Sequence, residues 1–97
     1  MLLTELTPEV LTNFGFVPSK TNRPLEPANT VYWRGETLRF WVRPNPDERG
    51  NIAHLEGFAK AQRAGPDWTI TFTLETPMPL VTAAIRRASD YMDVMVS

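Results

Sequence analysis

The fold is most clearly indicated by residues 30–43, Thr-Val-Tyr-Trp-Arg-Gly-Glu-Thr-Leu-Arg-Phe-Trp-Val-Arg. Its two halves are rich in β-branched and aromatic side chains, which favour strands, and Gly35-Glu36 suits a tight two-residue turn. The stretch therefore predicts a β-hairpin in which Trp33 pairs with Leu38 across the turn. The pairing of every other residue follows from that register.

This register sorts the side chains of the hairpin onto two faces. One face is uniformly apolar and is predicted to cover the core, with Val31, Trp33, Leu38, Phe40 and Val42. The other face mixes polar and aromatic side chains, namely Tyr32, Arg34, Thr37, Arg39, Trp41 and Arg43. A slip of one residue would scramble the two sets, so the uniformly apolar face favours this register.

A short helix and a loop are predicted before the hairpin. A short helix is predicted from Pro8 to Phe14, with Thr7 as its N-cap and Gly15 ending it. Residues 18–29 contain three prolines and are predicted to form a loop, because proline cannot donate the backbone hydrogen bonds of a regular element.

The segment 52–63 fits two interpretations. Helical spacing would place its apolar residues on one face, whereas a strand would pair with the next segment across a turn at 65–67. Gly57 would cost a helix about 1 kcal/mol, while a strand accommodates glycine as a bulge. We therefore favour the strand.

The last third of the chain has the clearest periodicity. Residues 68–74 alternate between apolar side chains and threonines, which predicts a strand. Residues 79–94 show helical spacing, with the apolar set Leu80, Val81, Ala84, Ile85, Ala88, Tyr91, Met92 and Met95. The order α-β-β-(β)-β-α predicts an α+β two-layer sandwich, with an antiparallel sheet of three to four strands and both helices on its apolar face.

Composition narrows the function classes. The 97 residues suit one domain, and ten basic against eleven acidic side chains give a net charge of -1, which provides no global attraction to nucleic acid or membranes. The absence of cysteine excludes disulfides and thiolate zinc sites. The first five residues lack the basic and apolar regions of a signal peptide, and no run approaches the ~18 apolar residues of a membrane span. We expect a cytoplasmic protein.

The polar face of the hairpin is the candidate binding surface. The second face of a two-layer sandwich is exposed to solvent, and Trp beside Arg is typical of protein–protein hot spots. We therefore predict a protein-interaction module, with a homodimer as one form, whose candidate interaction residues are Tyr32, Arg34, Arg39, Trp41 and Arg43. The structural alternative is that the 18–29 loop covers Tyr32 and Trp41 while the arginine stems stack on them.

Two other functions stay open. The same face resembles the platforms on which single-stranded nucleic acid stacks, although the acidic pI of about 5.7 counts against that. A small enzyme would use His54 as general base with Glu56 or Asp67. We expect no catalytic residue, metal site or cofactor, because one histidine and no cysteine offer few groups.

The succession helix, Gly-Phe, loop, Tyr-Trp-x-Gly, apolar strand, Trp-x-Ile-x-Phe, Pro, final helix looks like that of small α+β proteins of bacterial phages and mobile elements. The residues that carry the likeness are Leu11, Gly15, Phe16, Tyr32, Trp33, Leu38, Phe40, Trp68, Ile70 and Phe72. The resemblance implies origin and no chemistry. Small phage proteins are often binders that modify a host machine, anti-restriction and anti-CRISPR proteins among them.

Overall fold

The computed structural model describes residues 5–19, 31–59 and 65–96. The elements, in chain order, are helix α1 (Pro8–Asn13), strands β1 (Val17–Pro18), β2 (Val31–Arg34), β3 (Leu38–Val42), β4 (Asn51–Gly57) and β5 (Trp68–Thr73), and helix α2 (Met78–Val96). The five strands form one antiparallel sheet in the order β1-β2-β3-β4-β5. The predicted α+β fold with a short and a long helix is confirmed, and β1 extends the sheet beyond the predicted strands.

The β2–β3 hairpin forms, but its register differs by one residue from the predicted one. Arg34 pairs with Leu38, so the connection contains three residues, 35–37, instead of two. Gly35 begins this connection with a φ of 60°, a conformation that glycine adopts without steric cost. Because side chains alternate along a strand, this shift moves every β2 side chain to the face opposite the predicted one.

The shift exchanges two neighbouring aromatic residues. Tyr32 is buried among the core residues of the helix-covered face, while Trp33 lies on the other face. The prediction that Val31 and Trp33 cover the core is therefore wrong, and so is the placement of Tyr32 and Arg34 on the exposed face. Either ring could fill the core, so the apolar pattern of β2 did not decide between the two registers.

One apolar cluster joins the helices to a single face of the sheet. It contains Leu11 and Phe16 from the α1 region, Tyr32, Leu38, Phe40, Val42, Ile52, Ala53, Leu55 and Phe72 from the sheet, and Val81, Ile85, Ala88 and Met92 from α2. The buried stripe of α2 is narrower than predicted, because Leu80, Tyr91 and Met95 remain exposed. Thus α2 covers the middle of the sheet and leaves β5 partly open.

Helix α1 follows its predicted capping. The Oγ1 of Thr7 accepts a hydrogen bond from the backbone N–H of Val10 at 3.3 Å, which satisfies one of the free donors at the helix start. Gly15 then takes a φ of 90° and turns the chain. This turn inserts Phe16 fully into the core and starts β1.

Strand β4 resolves the ambiguous segment as a strand over Asn51–Gly57. The bulge lies between Asn51 and Ala53, and not at Gly57, where the strand interpretation allowed for one. Gly57 has a different role, because a Cβ at this position would collide with the indole of its cross-strand partner Trp68. The missing side chain leaves the space that this ring occupies.

Parts of two predicted segments lie outside the described residues, namely most of the 18–29 loop and the end of the 52–63 segment. The predicted covering of Tyr32 and Trp41 by the 18–29 loop lies outside them too. Among the helices in the described part of the chain, none combines the length and the apolar character that crossing a bilayer requires.

The contact between Gly57 and Trp68 predicts the outcome of a glycine substitution. Gly57→Ala should lower the free energy of unfolding by about 1–3 kcal/mol, because the added methyl overpacks the site and displaces the indole. Gly65→Ala is the matched control, since a Cβ there meets only open space. Equal denaturant midpoints for the two variants would contradict this account.

Candidate interaction surface

The outer face of the sheet is the face opposite α1 and α2. Strand register brings together Trp33, Arg39 and Glu56 in one row across β2, β3 and β4. The neighbouring row contains Trp41 and His54. These five side chains and Phe58, which follows β4, make up the Arg/aromatic cluster.

The guanidinium of Arg39 is the centre of the first row. It lies 4.9 Å from the centroid of the Phe58 ring and 5.4 Å from that of Trp33. The two rings themselves are 5.3 Å apart. Contacts of this kind between a guanidinium and ring faces contribute about 0.5–2 kcal/mol each and leave Arg39 little freedom to move.

Glu56 links the two rows through one oxygen atom. Its Oε1 accepts hydrogen bonds from the Nε of Arg39 at 2.6 Å and from the Nε1 of Trp41 at 2.8 Å. Only 7% of Glu56 is exposed. A carboxylate this deeply buried is stable only when its charge is compensated and its acceptors are used, and both donors serve that purpose here.

The second row is a stack of two planar rings. The centroids of Trp41 and His54 are 4.3 Å apart and the ring planes differ by 16°. The guanidinium of Arg43 lies 6.0 Å from the Trp41 centroid. His54 is buried, and its Nε2 has no hydrogen-bond partner among the residues that the structure describes.

Burial lowers the pKa of His54 below its ordinary value, because desolvation disfavours the charged imidazolium. The positive charge of Arg43 acts in the same direction, while Glu56 and Asp47 oppose it. The net lowering keeps the imidazole neutral at pH 7, and a neutral ring packs well against the Trp41 indole.

The structure brings together only part of the predicted site. Arg39, Trp41 and Arg43 share the outer face, as predicted. Tyr32 is buried on the opposite face, and Arg34 lies there too because of the changed register. The five residues therefore do not form one surface.

Arg34 instead ties the sheet to the last helix. Its Nη1 and Nη2 donate to the two carboxylate oxygens of Asp93 at 2.9 and 3.2 Å, a bidentate pair. The hydrogen bond with Arg34 lowers the pKa of the Asp93 carboxyl. This pair docks the end of α2 onto β2 and belongs to the architecture and not to the surface.

Sequence reasoning did not place four members of the cluster on the candidate surface, namely Trp33, His54, Glu56 and Phe58. The signal for Glu56 was present in β4, where polar His54 and Glu56 alternate with apolar Ala53 and Leu55. That alternation marks the outer face once the strand is recognised. Trp33 required the correct hairpin register, and Phe58 lies beyond the end of the strand.

The loop after β3 is organised by Asp47. Its Oδ1 accepts hydrogen bonds from the backbone N–H groups of Arg49 and Asn51, both at 2.9 Å, which is the turn role expected of aspartate. These bonds lower the pKa of the Asp47 carboxyl. Within the described ranges, no three His, Asp or Glu side chains converge as metal ligands would.

Comparisons with known proteins give no relative from which to transfer a function. Protein-family models, curated proteins and solved structures were all compared with the chain, and none matches. Evidence for function therefore comes from the contacts and charges of the chain itself.

The two hydrogen bonds to Glu56 predict that this residue holds the cluster together. Glu56→Ala should cost about 1–3 kcal/mol of stability in denaturant unfolding, because it leaves Trp41 Nε1 and the partly buried Arg39 without their acceptor. Asp93→Ala is the control, since it breaks the exposed ion pair with Arg34 and should cost less than about 1 kcal/mol. A smaller loss for the Glu56 variant would contradict the assigned role.

His54 predicts a loss of stability in mild acid. Because the pKa of His54 is lower in the folded than in the unfolded chain, the unfolded chain takes up the proton first as the pH falls. The free energy of unfolding should therefore decline between about pH 7 and about pH 5. His54→Phe keeps a stacking ring and removes the only histidine of the chain, so its curve should stay flat there. Parallel curves would show that another group is responsible.

Proposed function

We propose that the protein is a protein-interaction module whose partner docks on the outer face of the sheet. The observation that supports this proposal is the Arg/aromatic cluster, in which Trp33, Arg39 and Trp41 are each half-buried. They are locked in place by contacts within the cluster. Arg43 extends the same surface at its edge.

The composition and the rigidity of the cluster both favour protein binding. Tryptophan and arginine are the residues most enriched in interface hot spots. Here Trp41 is held by its hydrogen bond to Glu56 and its stack on His54, and Arg39 is held between two rings. Side chains that are ordered before binding lose little rotamer entropy when a partner arrives, so more of the contact energy is available as affinity.

The available donors suggest the chemistry of the partner. Glu56 compensates the charge of Arg39. Within the described part of the chain, by contrast, the side chain of Arg43 makes one long hydrogen bond of 3.4 Å, from its Nε to the Asn45 carbonyl. The guanidinium of Arg43 therefore offers donors at the rim of the surface. We propose a partner that covers the two indoles with apolar groups and presents a carboxylate or carbonyl to Arg43.

The same contacts disfavour the alternatives. Bases stack on open aromatic faces, but His54 already stacks on Trp41, and Phe58 and Arg39 contact the Trp33 ring. The charge of Arg39 is paired with that of Glu56, and the net charge of the chain is -1. Little positive charge therefore remains to attract phosphates. A general-base role for His54 is disfavoured by the burial of its Nε2.

A capture experiment with paired variants tests the proposal. The tagged protein is used as bait in a lysate of its own cells, a captured partner is purified, and the Kd is measured for three proteins. We expect Trp33→Ala/Arg43→Glu to weaken binding by about 30-fold or more, the loss typical of a hot spot. Arg86→Glu is the control, because Arg86 is exposed on α2, on the helix-covered side of the sheet.

Circular dichroism establishes that all three proteins are folded before the affinities are compared. Equal loss in both variants, or none in either, would contradict the outer face as the binding surface. Capture of nucleic acid with affinity that falls steeply with salt would favour the nucleic-acid alternative instead.

A further inference from the structure

The two edges of the sheet are built differently. Strand β1 has only two residues and ends at Pro18, and a short strand with proline discourages further pairing. Strand β5 has six residues, Trp-Thr-Ile-Thr-Phe-Thr, with no charge and no proline. Within the described chain β5 pairs with β4 alone. A long edge of this composition is a template for another strand.

Hydrogen-bond alternation shows which groups β5 presents at that edge. The N–H of Phe58 donates to the Thr37 carbonyl at 2.7 Å, a bond toward β3. The backbone N–H and C=O groups of successive residues point to alternate sides of an antiparallel strand, so Leu55, three residues before Phe58, points toward β5. Ile70 is the partner of Leu55, and its backbone groups therefore belong to the β4–β5 ladder. The backbone groups of Thr69 and Thr71 then point away from the sheet.

An apolar groove of about 420 Å³ runs beside this edge, between β5 and α2. Trp68, Ile70, Ala84, Arg87 and Tyr91 contribute to its walls. Ile70 is 39% exposed and Tyr91 52%, which is high for side chains of this size. An occupant that fits both features supplies a strand to the edge and apolar side chains to the groove.

We propose that this occupant is a second copy of the chain, with β5 pairing antiparallel to β5 of the partner subunit about a twofold axis. A twofold interface requires a surface complementary to itself. Strand β5 meets this condition, because it is uncharged and brings Thr69 and Thr71 opposite like side chains, a favourable cross-strand pair. The two apolar grooves then meet and cover each other.

This inference is independent of the function proposed for the outer face. The Arg/aromatic cluster faces away from α2, so it stays open when β5 edges pair. The dimer presents two copies of the cluster on one continuous sheet, and a partner with two binding sites would gain avidity.

Analytical ultracentrifugation tests the dimer. The average mass should rise from monomer to dimer over about a hundredfold increase in concentration. Ile70→Lys, which puts a charge into the groove, should shift the population to monomer. Val17→Lys is the matched control, because Val17 is an exposed apolar residue on the opposite edge strand, and this variant should dimerise like the original.

Hydrogen exchange by NMR provides a reading that does not depend on substitutions. The amides of Thr69 and Thr71 should become protected only as the dimer forms, while that of Ile70 is protected throughout.

A chain that stays monomeric over the whole range overturns the proposal, and an unlike extended peptide then becomes the candidate for the edge. A dimer that survives Ile70→Lys, or one in which Thr69 and Thr71 exchange freely, overturns it equally, because the copies would then associate through another surface.

Discussion

The pairing of Arg34 with Leu38 across a three-residue turn is the constraint on which the rest of the molecule depends. It turns Tyr32 into the core and leaves Trp33 on the outer face. It also aims Arg34 at α2, where the bidentate contact with Asp93 ties the helix end to the sheet. A two-residue turn would reverse all three placements at once, because every side chain of β2 changes face with a shift of one residue.

The outer face depends in turn on one buried carboxylate. Glu56 accepts from both Arg39 and Trp41, so the first and second rows of the cluster are held by the same atom. Removing a charge from water is costly, and the cost is offset only when its partners are fixed in place. The result is a patch of arginine and tryptophan that is rigid and internally neutralised. This is the reason why we propose a protein and not a polyanion as the partner, since the charge of Arg39 is already paired with Glu56.

The two edges of the sheet are covered to different extents. At the β1 side, Phe16 and α1 close the core and Pro18 ends the edge strand. At the β5 side, α2 covers the sheet only partly, and Ile70 and Tyr91 stay accessible. The six residues of β5 pair only with β4 within the described chain. One short and one long helix cannot cover five strands evenly. The groove is the consequence, and it lies on the opposite face from the Arg/aromatic cluster.

Short-range sequence signals were sufficient to predict α1, β5 and α2. Thr7 and Gly15 delimit α1, the threonine alternation defines β5, and the apolar spacing of 79–94 defines α2, because each signal is contained within a few neighbouring residues. Only the tertiary structure decided between Tyr32 and Trp33 as the core residue, since the two rings are adjacent and similar in size and hydrophobic character. Which of the two rings enters the core depends on the length of the turn and on the side chains that each face offers as contacts. These are Phe40 and Phe16 on the core face, and Arg39 and Phe58 on the outer face. The place of Glu56 in the cluster also depends on the tertiary structure, because its hydrogen-bond partners Arg39 and Trp41 lie on another strand.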